Sequence, residues 1–236
     1  MAKGAILILP ALNEEGKVGR VVWGAKDFVD EVLVVDDGSV DNTGEEARRQ
    51  GATLIRHPLN MGVGAAIRTG IKYALSKGYE VIVIMGADDQ DIPDEMPRLI
   101  KPIIDNGYDL VQGSRRLYGK RVVNMPLFRR ITTKIYSSIF RILTGFKITD
   151  GTNGYRAIKA SLFEDKRIEI DQDWLNRYEL EPYILYKAVR LGYRVKEVPV
   201  TKIYHQGDVG YTKMIPILDW WSILRPIIYL RFGIKR

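Results

Sequence analysis

Four polar clusters each follow a short apolar run, and each holds residue types that can bind or orient a ligand. Ala5 to Leu9 ends in Pro10-Ala11-Leu12-Asn13-Glu14-Glu15, and Glu31 to Asp36 runs into Asp37-Gly38-Ser39. Thr53 to Arg56 leads to Asn60-Met61-Gly62-Val63-Gly64, and Val81 to Met85 ends in Gly86-Ala87-Asp88-Asp89-Gln90-Asp91. Taken singly these are ordinary turn and cap sequences. Repeated at consecutive strand ends they point to a site, because ligands of open parallel sheets bind beyond the carboxyl ends of the strands. Asp37 at a strand tip can accept from a nucleobase or a ribose hydroxyl. Asp88, Asp89, Gln90 and Asp91 offer hard oxygen ligands of the kind Mg²⁺ or Mn²⁺ takes while keeping waters and bridging phosphates. A nucleoside diphosphate with a metal on its pyrophosphate fits both halves. Neither a Gly-x-Gly-x-x-Gly fingerprint nor a Walker loop is present, so phosphate must be held otherwise.

The elements that carry these tips alternate. Helical patterns run from Glu14 to about Lys26, Thr43 to Gln50, Val63 to Lys77 and Asp94 to Asn106, between the strands named above and a fifth from Leu110 to Gly113. Apolar strands separated by helices predict an α/β fold with a mainly parallel sheet flanked by helices. After Gly113 the alternation stops. A basic helix, a Gly-rich turn from Asp150 to Gly154, a helix from Glu179 to Leu191, a strand from Arg194 to Val200 and a C-terminal helix complete the chain.

Composition removes several chemistries. Zero cysteines exclude disulfides, thiolate zinc and cysteine nucleophiles, and two histidines leave little for a histidine-based metal site. The net charge of +7 is concentrated in one place. No acidic residue lies between Asp109 and Asp150, where Arg115, Arg116, Lys120, Arg121, Arg129, Arg130, Lys134, Arg141 and Lys147 supply nine positive charges, so the rest sums to 7 − 9 = −2. Such a segment is built to hold something anionic. Ile131, Ile135, Ile139, Ile142, Leu143 and Phe146 recur through it at helical spacing, either as a core stripe under a basic outer face or as an interfacial helix on anionic lipid. From Met214 to Phe232 the chain is rich in Ile, Leu, Trp and Tyr, but Asp219, Arg225, Pro226 and Arg231 interrupt any run of the ~20 apolar residues a span needs. Its later charges, Arg225, Arg231, Lys235 and Arg236, are all basic and suit lipid headgroups. Met1-Ala2-Lys3 leads straight into the first strand, so no signal peptide is expected. Nucleic acid is not an expected partner, since the basic segment lacks interleaved stacking aromatics.

The ordered set of motifs resembles glycosyltransferase family 2, with the nucleotide-sugar-binding GT-A fold, and within it the dolichyl-phosphate mannose synthases and related polyprenyl-phosphate sugar transferases. The blocks continue through Gly113-Ser114-Arg115, Arg129-Arg130, Asp150-Gly151-Thr152-Asn153-Gly154-Tyr155-Arg156, Glu197-Val198-Pro199-Val200 and Gly210-Tyr211-Thr212-Lys213, covering nearly the whole chain. The resemblance implies a catalytic domain over 1–213 and a C-terminal amphipathic basic helix over 214–236. It implies that Pro10, Leu12, Glu14, Val35 and Asp37 hold the nucleoside, that Ala87, Asp88 and Gln90 flank or ligate Mg²⁺ or Mn²⁺, and that Lys213 reaches the donor phosphates. Arg115, Arg129 and Thr133 match positions that hold the lipid phosphate, making Asp88, Arg115 and Arg129 the expected catalytic set. The implied reaction is inverting transfer of one sugar from a GDP-mannose or UDP-glucose type donor to a polyprenyl or dolichyl phosphate, on the cytoplasmic face of a membrane without a transmembrane span.

Two positions depart from the family pattern. Gly86 stands where Asp-x-Asp usually begins, with Asp89 or Asp91 as candidate replacements, and Gly207 stands where an Arg usually precedes the last block, with His205 or Arg156 as candidates. A lipid phosphate needs no general base, whereas a neutral acceptor would need a carboxylate such as Asp150 or Glu181. The rival readings are therefore a same-fold transferase with a non-lipid acceptor, and a catalytically silent nucleotide-sugar binder.

Overall fold

Alternate side chains of the first strand enter opposite faces of the sheet, and both faces are dry. In β1 (Lys3–Ala11), Ile6 and Ile8 join one apolar cluster and Leu7 and Leu9 the other, all fully buried. A strand covered on both sides must sit centrally, and the main sheet runs, strand by strand, 53–56, 31–36, 3–11, 79–84, 156–159, 110–114 and 195–199. The computed structural model describes residues 3–117, 122–204 and 218–235. Its first half alternates β1, α1 (Val18–Ala25), β2 (Glu31–Asp36), α2 (Thr43–Arg49), β3 (Thr53–Arg56), α3 (Val63–Lys77), β4 (Tyr79–Ile84), α4 (Met96–Asn106) and β5 (Leu110–Ser114). The second half holds β6 (Val122–Val123), α5 (Leu127–Thr144), β7 (Arg156–Lys159), α6 (Leu180–Arg190), β8 (Val195–Pro199), β9 (Lys202–Ile203) and α7 (Leu218–Arg231). Helices α1, α2 and α4 cover one face, and α3, α5, α6 and α7 the other.

The expected parallel α/β sheet is present, with corrections. Helix α1 starts at Val18 rather than Glu14, because Asn13 (φ 51) and Gly16 (φ 78) take left-handed conformations that a helix does not admit. The sequence pattern predicts no strand between Gly113 and Arg194, yet Arg156–Lys159 forms β7. It inserts between β4 and β5 and runs antiparallel to both, with Ile82 opposite Ile158 and Val111 opposite Ala157. Four residues give too short a period to read.

Helix α5 divides the apolar stripe of the basic segment. Its buried side is Thr133, Tyr136, Ser137 and Phe140, while Ile131, Ile135 and Ile142 are half exposed or more, beside exposed Arg130, Lys134 and Arg141. Ile131, Ile135 and Ile142 therefore form a surface stripe, while Ile139 is half-buried and Leu143 and Phe146 pack against the core. Helix α7 packs on α5 and α6: Ile227 is in the core, Arg225 pairs with buried Glu179, and Phe128 meets Trp220 edge to face. Among the described residues no helix is long and apolar enough to cross a membrane.

Candidate active site

The tips of β1 and β2 are tied to one another by side chains from their loops. Asn13 N–H donates to Ser39 Oγ, Val40 N–H donates to Asn13 Oδ1, and Glu14 N–H donates to Thr43 Oγ1, at 2.7–2.9 Å. Beneath them Asp37 receives three donors. Its Oδ1 accepts from Met61 N–H (3.0 Å) and lies 2.7 Å from His57 Nδ1, while Oδ2 accepts from Gly62 N–H (2.8 Å). Gly38 makes this approach possible. Its φ is +78, and a β-carbon there would lie 2.5 Å from the Leu59 carbonyl carbon. His57 also meets Thr69 Oγ1 at 3.0 Å, so the Asp37 carboxylate is held in one orientation at the floor of a cleft.

That cleft, about 560 Å³, is of the size that small-molecule sites occupy. Pro10, Leu12, Glu14, Asp37, Ala87, Asp88 and Gln90 line it as expected. Val35 does not: it is fully buried among the residues packed against α3, and its role is in the core. Lys213, Gly207 and His205 lie outside the described residues. Arg156, the other candidate to replace the missing arginine, is fully buried on β7 and donates to the Asn153 and Glu181 carbonyls, away from the cleft wall.

The acidic loop after β4 divides its carboxylates. Asp89, at φ 59, turns outward to Arg20, which donates from Nε at 2.9 Å. Asp91 turns inward to Lys202 Nζ at 2.9 Å, and neither neighbour stands in for the carboxylate that Gly86 lacks. Asp88 and Gln90 remain on the cleft wall. Among the described residues no group of three or more His, Asp or Glu side chains forms a closed metal cage. One carboxylate and one amide oxygen still fit a divalent cation that keeps waters and shares phosphate oxygens.

The far wall is cationic. Arg115 is buried against Asp150, with Nε to Oδ2 at 2.6 Å and Nη2 to Oδ1 at 2.7 Å, and it also donates to the Tyr204 hydroxyl and to Thr152 Oγ1. Its bidentate fork is thus engaged by a carboxylate, whereas the resemblance implies a phosphate at this position. Burial alone would raise the Asp150 carboxyl, but the Arg115 charge and hydrogen bonds hold it below the usual carboxylate range. Glu197 supports this segment by accepting from Thr149 N–H and Asp150 N–H at 2.8 and 2.9 Å. Arg129, from the first turn of α5, lies over the Tyr204 ring at 5.6 Å and lines the cleft with Pro126 and Phe128. Thr133 is a correction. One turn further along, it is buried, bonded to the Arg129 carbonyl and to Arg116, and absent from the cleft wall.

Sequence reasoning missed Lys202, Tyr204, Arg177, Tyr178 and His57. The first four line the cleft, and His57 braces Asp37 from below. Burial pushes the Tyr178 phenol up to about 12, so it is a neutral hydroxyl at physiological pH. Arg177 lies 3.4 Å from Asp219 of α7, which ties the cleft to the C-terminal helix.

A family model described as glycosyl transferase family 2 matches residues 6–166. The undecaprenyl-phosphate mannosyltransferase of Micrococcus luteus is 34% identical over 89% of this chain and 86% of its own length. The UDP-N-acetylglucosamine–dolichyl-phosphate N-acetylglucosaminyltransferase of Methanococcus voltae is 33% identical over 96% of both. Among solved structures, glucosyl-3-phosphoglycerate synthase from Mycobacterium tuberculosis, in complex with Mn²⁺, UDP and phosphoglyceric acid, superposes with a TM-score of 0.71 at 21% identity, covering 99% of this chain and 80% of that one. The strand-tip cleft, the matched residues and these likenesses agree: the chain belongs to glycosyl transferase family 2 and is a glycosyltransferase.

Proposed function

We propose that the protein transfers a single sugar, with inversion, from a nucleoside diphosphate sugar to a polyprenyl phosphate. The observation that carries this reading is the cationic wall around Arg115 and Arg129. The carboxylates Glu14, Asp37 and Asp88 line the cleft with Lys17 and Lys202 among them, and Arg115, Arg129 and Arg177 line it with no carboxylate of the cleft wall paired to Arg115. Of the two carboxylates that the sequence offers as a base for a neutral acceptor, Asp150 is hydrogen-bonded to Arg115 and Glu181 lies 3.3 Å from the Arg156 guanidinium. A phosphate monoester is ionised near neutral pH and attacks the anomeric carbon without a base.

In this reading Asp37, braced by His57 and two backbone N–H groups, orients the nucleoside. When bound at Asp88 and Gln90, Mg²⁺ or Mn²⁺ supplies charge neutralisation of the diphosphate. Arg129 takes the acceptor phosphate with its planar fork. Arg115 positions it indirectly, by fixing the Tyr204 ring over which Arg129 lies. Catalysis is then chiefly orientation and electrostatics. The exposed isoleucine stripe of α5 starts at the cleft mouth, where Phe128 and Arg129 stand, and carries the lipid chain to the cytoplasmic face of a membrane on which the protein is peripheral. The relatives named for undecaprenyl and dolichyl phosphate support the acceptor class.

The test is incubation with radiolabelled GDP- and UDP-sugars and a polyprenyl phosphate, followed by organic extraction. Label should enter the organic phase only when the polyprenyl phosphate is present. Transfer to phosphoglycerate in its place, or no transfer from any donor, would overturn the reading.

A further inference from the structure

The acidic loop after β4 is fastened to β9 by backbone and side chain together. Asp91 and Lys202 form an antiparallel bridge, Ile203 N–H donates to the Gln90 carbonyl at 2.8 Å, and Lys202 Nζ lies 2.9 Å from Asp91 Oδ2. The lysine side chain is 13% exposed and that of Asp91 1%, so the pair sits inside the protein, with the lysine at the cleft wall beside Asp88 and Gly86. Burial alone would lower the ammonium's pKa, but Asp91 and Asp88 raise it above the ordinary lysine range, and the group is a fixed positive charge.

Gly86 belongs to the same arrangement. A β-carbon there would lie 3.0 Å from Asp88 Oδ1 and 3.6 Å from Asp91 Oδ2. A carboxylate at this position would crowd a third negative charge against these two. The chain has no side chain there and instead brings an ammonium to the loop. A lysine head carries three donors, so it can hold Asp91 and still offer N–H to an oxygen in the cleft.

We propose that Lys202 is a donor-binding residue, a cation supplied by the chain itself at the diphosphate end of the cleft and aimed by Asp91. It shares with the Asp88 site the neutralisation of the donor's diphosphate. The inference rests on the cleft being a nucleotide-sugar site, as proposed above.

Calorimetry of the whole chain with UDP, GDP, uridine and guanosine tests it, in chelator and again with Mg²⁺ or Mn²⁺. In chelator, the wild type retains measurable affinity for its nucleoside diphosphate. Lys202→Met weakens that affinity roughly tenfold or more, the size of a lost charge-assisted hydrogen bond, and leaves the matching nucleoside unchanged. Lys202→Arg keeps most of the affinity. Because Lys202→Met strands a buried carboxylate, the double variant Lys202→Met with Asp91→Asn is measured beside it and shows the same diphosphate-selective loss. Three results would overturn the proposal: no wild-type binding in chelator, diphosphate affinity unchanged in both variants, or equal weakening of nucleoside and diphosphate. If neither UDP nor GDP binds even with metal, the nucleotide-sugar reading fails and takes this one with it, an outcome distinct from a diphosphate that binds but ignores Lys202.

Discussion

Replacing Arg115 by Met should unfold the far wall of the cleft before it alters the chemistry. The guanidinium makes four side-chain hydrogen bonds, two to Asp150 and one each to Tyr204 and Thr152, and Asp150 has no solvent exposure. Removing the cation leaves a buried carboxylate without its counter-charge, a change that costs about 3–5 kcal/mol. For a chain of this length each kcal/mol moves Tm by about 2–4 °C, so Arg115→Met should melt roughly 6–20 °C below the wild type. Pairing it with Asp150→Leu removes both charges and should regain at least half of the loss, because a buried ion pair and an apolar pair of similar volume are often close in stability. Urea and thermal unfolding of the four proteins of this double-mutant cycle give the coupling directly. A Tm within about 2 °C of wild type for Arg115→Met, together with a raised acceptor KM, would refute the reasoning and move Arg115 from positioning to direct phosphate binding.

Arg129→Ala should behave in the opposite way, raising acceptor KM about 10- to 100-fold with Tm and donor KM nearly unchanged, and Arg129→Lys should fall between; an unaltered acceptor KM counts against the assignment. Acid should release the Arg115–Asp150 contribution. The folded pKa of Asp150 is depressed, so its stabilisation is complete above the unfolded value of about 3.9 and is lost as pH falls through the folded value. The difference in urea midpoint between wild type and Asp150→Asn should therefore hold from about pH 7 to 5 and shrink below about 4. Ile131→Asp with Ile135→Asp should abolish sedimentation with anionic vesicles at low salt while leaving Tm within about 2 °C, since both side chains are about half exposed, at 49% and 52%; retained vesicle binding would place the membrane contact elsewhere.

The strand-tip half of the cleft is legible because strand tips in a parallel sheet announce themselves: an apolar run ends, and polar residues follow. Pro10, Asp37, Asp88 and Gln90 were found this way. Val35 misleads for the same reason, since a residue one or two positions before the tip looks adjacent to the site yet points into the core. The cationic wall is less legible. Charge showed that the segment around Arg115 and Arg129 is cationic, but not that Asp150, far along the chain, takes the Arg115 fork. Lys202 and Tyr204 carried no signal, because β9 is two residues long and its pairing with the acidic loop is a tertiary event. The spacing of the isoleucines gives the helix, but periodicity alone cannot say which side of it faces the core when both sides hold apolar residues.

Strand β7 has a consequence for how the chain is made. Strands β1 to β4 are joined by short crossovers and can pair as they leave the ribosome, but the free edge of β4 and one edge of β5 are closed only by residues 156–159. Until Lys159 has been synthesised, two apolar strands keep rows of unpaired backbone N–H and C=O groups that can pair with another chain. The N-terminal half, β1 to β4, is thus an early folding unit with an exposed edge. Chain termination before β7 should yield aggregating protein even though every strand tip that lines the cleft from this half is already present.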